Sequence, residues 1–136
     1  MMLTLAAALL AGAAPAAAGV TGLWKTPVDG GSTVRIETCG EAICGRAVSS
    51  PRLIAFPDQK DVFNRDPALR GRPIKSLLLL KLRPIGPSRW GDGWVYDPRN
   101  GGTYKGTAEL KSDGRLLLQG CIVAPFCRTQ AWTRAK

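Results

Sequence analysis

From Gly22 to the C-terminus the chain never holds a helical apolar period for a convincing length. Short β-compatible runs are punctuated instead by Gly, Asp, Asn and Pro, a texture that dictates strands joined by tight turns. Gly22 to Thr26 forms a first strand, and Asp29-Gly30-Gly31 turns it into Ser32 to Thr38. There Val34 and Ile36 face one way while Arg35 and Glu37 face the other, the mark of a half-buried strand. Cys39-Gly40-Glu41-Ala42 makes a second hairpin into Ile43 to Val48. Further strands are expected at Leu77 to Leu82, Gly93 to Tyr96, Thr103 to Leu110, Arg115 to Ile122 and Arg128 to Trp132. Turn signals at Pro84 to Pro87, Asp97 to Gly102 and Ser112 to Gly114 separate them. About eight short strands in a row predict an all-β antiparallel meander closed, or nearly closed, into a barrel, with a two-sheet sandwich as the alternative.

Residues 51 to 75 break this rhythm. Pro51, Pro57, Pro67 and Pro73 fall among many charges, which suits a long connection better than a sheet strand, because each proline removes a ladder donor. One short helical turn, Pro67 to Leu69, is expected within it. No internal repeat is visible, so residues 19 to 136 read as one β domain of ordinary globular composition, 45% apolar and 21% charged.

Met1 to Ala18 carries no charge, and its apolar run Leu5 to Leu10 is followed by Gly12, Pro15 and Ala16-Ala17-Ala18. This reads as a signal peptide cleaved before Gly19, although the first basic residue comes only at Lys25. No stretch reaches the roughly 20 apolar residues of a membrane-spanning helix. A periplasmic or secreted location follows, and with it an oxidising setting for Cys39, Cys44, Cys121 and Cys127. Four cysteines allow three connectivities; neighbours in a hairpin meet first, which favours Cys39 with Cys44 and Cys121 with Cys127. A zinc site is the rival reading, but C-x4-C and C-x5-C are loose spacings for that metal.

Every charged residue lies at or after Lys25, so the net charge of +9 belongs to the β domain. Such a field attracts anions. For an exported protein these are lipid headgroups, lipopolysaccharide and acidic polymers, so an anionic membrane surface is a candidate partner and nucleic acid is not. A basic surface with no partner is the plain alternative.

Histidine is absent, which removes Ser-His and Cys-His catalysis and most transition-metal sites. No P-loop, dinucleotide or nucleophile-elbow motif is present, and no cofactor or metal is expected. A hydrolase would have to pair carboxylates from Glu37, Glu41, Glu109, Asp92 and Asp97, and Asp beside Pro or Gly is ordinary turn chemistry. Arg65, Arg70 and Arg72 place three guanidiniums in eight positions of the long connection, suited to gripping a phosphate or carboxylate, or else to an internal pair with Asp66. Asn100-Gly101 marks a hairpin that would bring Tyr96 and Tyr104 together as a near cross-strand pair. These tyrosines and Trp94 are candidate ligand contacts, and equally candidate packing groups.

Taken together, Gly22-Leu23-Trp24, Val34-Arg35-Ile36, Cys39-Gly40 with Cys44-Gly45-Arg46, Asn64 to Pro73, Tyr96-Asp97-Pro98 with Asn100-Gly101 and Tyr104, and Gln130 with Trp132-Thr133-Arg134 resemble domain of unknown function 2147, a family of small secreted bacterial proteins. Where that family tends to carry Gly after the Arg-Pro pair, this chain has Lys75-Ser76. A looser likeness is to the calycins, the lipocalin-type barrels, in which Gly-x-Trp closes the base. It implies that Trp24 and Arg134 stack to close this one. The leading expectation is a non-enzymatic barrel that binds a small amphipathic or anionic envelope component, with Leu78, Leu80, Tyr96 and Leu118 lining an interior and Arg70 and Arg72 at its opening. An interaction protein with a filled core and basic outer face is the second, and a carboxylate hydrolase the third.

Overall fold

The computed structural model describes residues 19–28, 30–123 and 126–135. The expected signal peptide, residues 1–18, lies outside them. Eight strands follow in order: β1 (Gly22–Lys25), β2 (Thr33–Cys39), β3 (Ala42–Ser49), β4 (Leu78–Gly86), β5 (Arg89–Asp97), β6 (Gly102–Leu110), β7 (Leu116–Val123) and β8 (Phe126–Arg134). Each pairs antiparallel with its neighbours, and β1 pairs with β8, Trp24 opposite Arg134 and Lys25 opposite Thr133. The sheet is thus a closed barrel and not a sandwich. Up-and-down order puts the β1–β2, β3–β4, β5–β6 and β7–β8 connections at one end, the mouth. The other hairpins and residues 19–21 lie at the base.

The base is solid. Val20, Trp24, Ile36, Ile43, Leu82, Trp90, Leu116 and Trp132 belong to one buried cluster. The indole N–H of Trp24 donates to the carbonyl of Val20 at 2.8 Å. Arg134 lies over the Trp24 ring, 4.2 Å from its centroid, and donates to the carbonyls of Thr21 and Gly19, both at 2.6 Å. A Cβ at Gly22 would approach Arg134 Nη1 to 2.9 Å, so glycine leaves room for the stack.

Several strand ends differ from the sequence expectation. The region around Pro84 is strand, since β4 runs on to Gly86 with Pro84 opposite Trp90 and a register shift beside it, where a missing N–H is tolerated. Gly91-Asp92-Gly93 is likewise no turn. It is an irregularity inside β5, between Trp90 and Gly93, with Asp92 at φ 53°. The long connection holds the expected 3-10 turn Pro67–Leu69 and an additional helix α1 (Pro51–Ala55), whose start is set by Pro51 and by Ser50 accepting from Leu53 N–H at 3.0 Å.

Cys39 is bonded to Cys44 at the base hairpin and Cys121 to Cys127 near the mouth. All four thiols are consumed, which removes the zinc reading. Ser76 ends the long connection at φ 67°, the left-handed conformation that glycine adopts without strain.

Arg134→Ala should lower stability by about 1–3 kcal/mol, through loss of the ring contact and of two bonds to carbonyls. Ser76→Gly should raise it by about 0.5–1 kcal/mol, left-handed strain relieved outweighing added chain entropy. Denaturant unfolding of both variants checks the two opposite signs.

Candidate functional site

Above the solid base the barrel is hollow. A cavity of about 540 Å³ opens at the mouth, within the ~300–1,000 Å³ of small-molecule sites. It exists because inward positions that carry tryptophans lower down carry smaller residues here. Val34, Leu80, Val95, Leu118 and Gly120 line it, and a Cβ at Gly120 would already stand 3.0 Å from Val95 Cγ2. Trp132 is also part of the wall. Gln130, two residues before it on the same face of β8, accepts from the Trp132 indole N–H at 2.9 Å.

Of the residues expected in the interior, Leu80, Tyr96 and Leu118 line the cavity and Leu78 does not. Gly45 pairs with Leu80 but Arg46 pairs with Leu78, and this irregularity brings Leu79 to the wall in its place. Tyr96 and Tyr104 both line the cavity but sit one register step apart rather than directly opposite each other. Tyr96 lies opposite Thr103, and Tyr104 opposite the cavity-lining Val95. A four-residue connection, rather than a two-residue Asn-Gly turn, separates β5 from β6 and sets that register.

The rim is polar and cationic, and its arginines are not the ones selected from sequence. Asp97 accepts from Arg99 Nε at 3.0 Å and Nη2 at 2.9 Å, and Arg128 lines the cavity nearby. Burial opposes ionisation of Asp97. The hydrogen bonds from Arg99 and the charges of Arg99 and Arg128 outweigh it and hold the carboxyl below its ordinary value. Asp97 is the one carboxylate among the described lining residues, so a paired-acid hydrolase finds no second acid there. The alternation Arg128, Gln130, Trp132 in β8 was the available signal for Arg128; Arg99 carried none beyond its place in a hairpin tip.

Arg70 and Arg72 build the long connection instead of guarding the opening. Arg70 Nε donates to the Asn64 carbonyl at 2.8 Å. Arg72 Nε donates at 2.9 Å to Asp61, whose side chain is fully buried, and its guanidinium lies 5.3 Å from the Tyr96 ring centroid. Asp61 also accepts from the Tyr96 hydroxyl at 2.6 Å and from Asn64 Nδ2 at 2.9 Å. Asp66, the expected partner for an arginine, instead accepts from Ala68 N–H to start the 3-10 turn. Around this latch Leu53, Ile74, Leu77, Ala47 and Tyr96 form a second cluster, against which Trp94 packs away from the cavity. Arg65 is exposed, and both it and Tyr104 lie close to Gly102, where a Cβ would collide with the Tyr104 hydroxyl and stand 2.9 Å from Arg65 Nη2.

A family model described as "Uncharacterized protein conserved in bacteria (DUF2147)" matches residues 22–134, the whole barrel. The chain belongs to the DUF2147 family. Among solved structures, protein HP1028 from Helicobacter pylori, described as belonging to the lipocalin family, superposes with a TM-score of 0.74 at 22% identity. The match covers 85% of this chain and 82% of that one. This DUF2147 barrel is therefore lipocalin-like in fold. No curated protein matches its sequence.

The latch has a pH signature. Burial, then the hydrogen bond to Asp61 and its negative charge, push the Tyr96 hydroxyl from 10.0 up to about 12. A folded-state pKa raised in this way gives stability that is intact below pH 10 and lost as pH climbs toward 12. Urea unfolding across that window should show a steeper loss in the parent protein than in Tyr96→Phe; parallel losses would remove Tyr96 as the cause.

Proposed function

We propose that this DUF2147 protein is an exported, non-enzymatic binding protein that holds one small amphiphile, its apolar part in the barrel and its anionic head at the rim. The observation that carries this reading is the cavity itself, apolar at Val34, Leu80, Val95 and Leu118 and bordered by Arg99 and Arg128. A hollow mouth favours binding over the filled-core interaction module. Two disulfides suit an oxidising compartment, and among the described residues no helix is long and apolar enough to cross a membrane. With the leader-like residues 1–18 they support export to the periplasm or beyond. The net charge of +9 draws anionic ligands and anionic membrane surfaces to it.

Anilinonaphthalene sulfonate, an apolar ring system with one anionic group, is a suitable probe for the oxidised mature chain. One molecule should bind per barrel. Leu118→Trp, which fills the cavity, should weaken binding at least tenfold, a loss of about 1.4 kcal/mol or more. Arg128→Glu should weaken it by a similar factor and reduce its dependence on salt, since a charge-assisted contact is worth about 1.5–3 kcal/mol. Unchanged fluorescence titration of Leu118→Trp would place the probe elsewhere and defeat the cavity reading.

A further inference from the structure

Soluble barrels seldom display large apolar side chains together, and a contiguous exposed patch marks an interaction surface. Among the described residues eight large hydrophobic side chains are exposed; seven of them stand on mouth connections or the strand ends beside them, and only Ile85 belongs to the base. Val62 and Phe63 are the clearest case. They form the tip of a turn closed by Asn64 N–H to the Asp61 carbonyl at 3.2 Å, and each is 55% exposed. The usual arrangement is inverted, since the flanking polar residues Asp61 and Asn64 are buried while the apolar pair points outward. The tip is also held in place, because a Cβ at Gly101 would collide with the Phe63 carbonyl oxygen. Across the mouth, Ile122 and Phe126 are 75% and 69% exposed, beside the Cys121–Cys127 bond. Ile54 in α1 and Phe56 at its end are exposed on the same connection as Val62 and Phe63.

Charge says what covers it. Residues 51–77 contain six basic and three acidic residues. Of those acids, Asp61 is buried against Arg72 and Asp66 is engaged with Ala68 N–H. Arg99 stands on the β5–β6 connection at the mouth and Arg128 near the mouth end of β8. Apolar tips within a basic collar match an anionic bilayer, whose headgroups attract the cations while its acyl region accepts the side chains. We infer that the mouth end docks on an anionic lipid surface, with Val62 and Phe63 as one inserted tip and Ile122 and Phe126 as the other. Docking so oriented turns the cavity opening toward the lipid. It does not require an occupied cavity; Ile122, Phe126, Arg99 and Arg128 also line that cavity, whereas Val62 and Phe63 do not, so variants of this pair test docking separately from the binding reading above.

Flotation of the oxidised mature protein with phosphatidylglycerol–phosphatidylethanolamine vesicles tests this, with phosphatidylcholine vesicles as the neutral comparison. The anionic vesicles should carry the protein, less so as salt rises. Val62→Ser combined with Phe63→Ser should cut partitioning at least tenfold, whereas Ile85→Ser at the base leaves it unchanged. These side chains are exposed, so thermal unfolding should stay close to the parent. As a second measurement, Phe63→Trp should be quenched by brominated acyl chains and Ile85→Trp should not. No partitioning onto anionic vesicles, or equal loss from Ile85→Ser, overturns the inference. So does a concentration-dependent dimer abolished by the double variant in the absence of vesicle binding, which would assign the patch to a second copy. Retained sulfonate-probe binding in the double variant separates failure here from failure of the cavity reading.

Discussion

Everything at the mouth depends on closure of the barrel at its weakest seam. β1 offers four residues, and β8 meets it at two. So short a ladder leaves little backbone hydrogen bonding to hold the ends of the sheet together, and an open seam would leave two edges ready for wrong partners. Arg134 makes up the deficit by stacking on Trp24 and tying the end of β8 to residues 19 and 21. The consequence reaches the site, because the seam is what sets Gln130 and Arg128 beside Thr26 and Val28 on one cavity wall.

With the seam closed, side-chain size along the strands divides the interior. Three tryptophans fill the base, and a rigid base lets the upper half stay hollow without collapse. Two separate devices then hold the mouth open. The Cys121–Cys127 bond pins the end of β7 to the start of β8, and on the other side Asp61 anchors the long connection. A buried carboxylate is costly to desolvate, and here three donors, from Tyr96, Asn64 and Arg72, offset that cost. Such a cluster contributes less to net stability than to choosing one conformation for a proline-rich segment that has little regular structure to choose it. The walls of the cavity are in this way fixed by the fold itself, an arrangement that would lower the ordering cost of binding the proposed ligand.

The architecture was legible because alternation and turn chemistry are local. Val34 and Ile36 against Arg35 and Glu37 state a half-buried strand without reference to anything else in the chain. What local pattern does not contain is irregularity. Pro84 and Gly91-Asp92-Gly93 look like chain reversals, yet the ladder absorbs them as shifts in register, because neighbouring strands supply hydrogen bonds that compensate. The same limit moved Leu79 to the wall in place of Leu78 and set Tyr96 opposite Thr103 instead of Tyr104. Of the candidate ligand contacts read from sequence, Tyr96 and Tyr104 line the cavity, and Arg65, Arg70, Arg72 and Trp94 do not. A cluster such as Arg65, Arg70 and Arg72 shows in sequence, but the acid that claims Arg72 lies eleven residues away at Asp61 and not at the nearer Asp66.

The rim charge also sets how affinity and orientation divide. Two arginines face one carboxylate, and because Arg99 and Arg128 keep Asp97 ionised, part of their field is spent within the protein. What remains to meet an anionic head is modest, and at an exposed rim it is screened by salt. The apolar wall is neither screened nor compensated, and burying a ligand's hydrocarbon there contributes about 25 cal/mol per Å². If the ligand is the amphiphile proposed above, its affinity comes mainly from the cavity, while the rim decides which end of the molecule enters first. A wholly apolar ligand would satisfy the wall and leave the guanidiniums indifferent; a wholly polar anion would meet the rim and gain nothing from Leu80, Val95 and Leu118. Only a molecule with both parts uses the whole site.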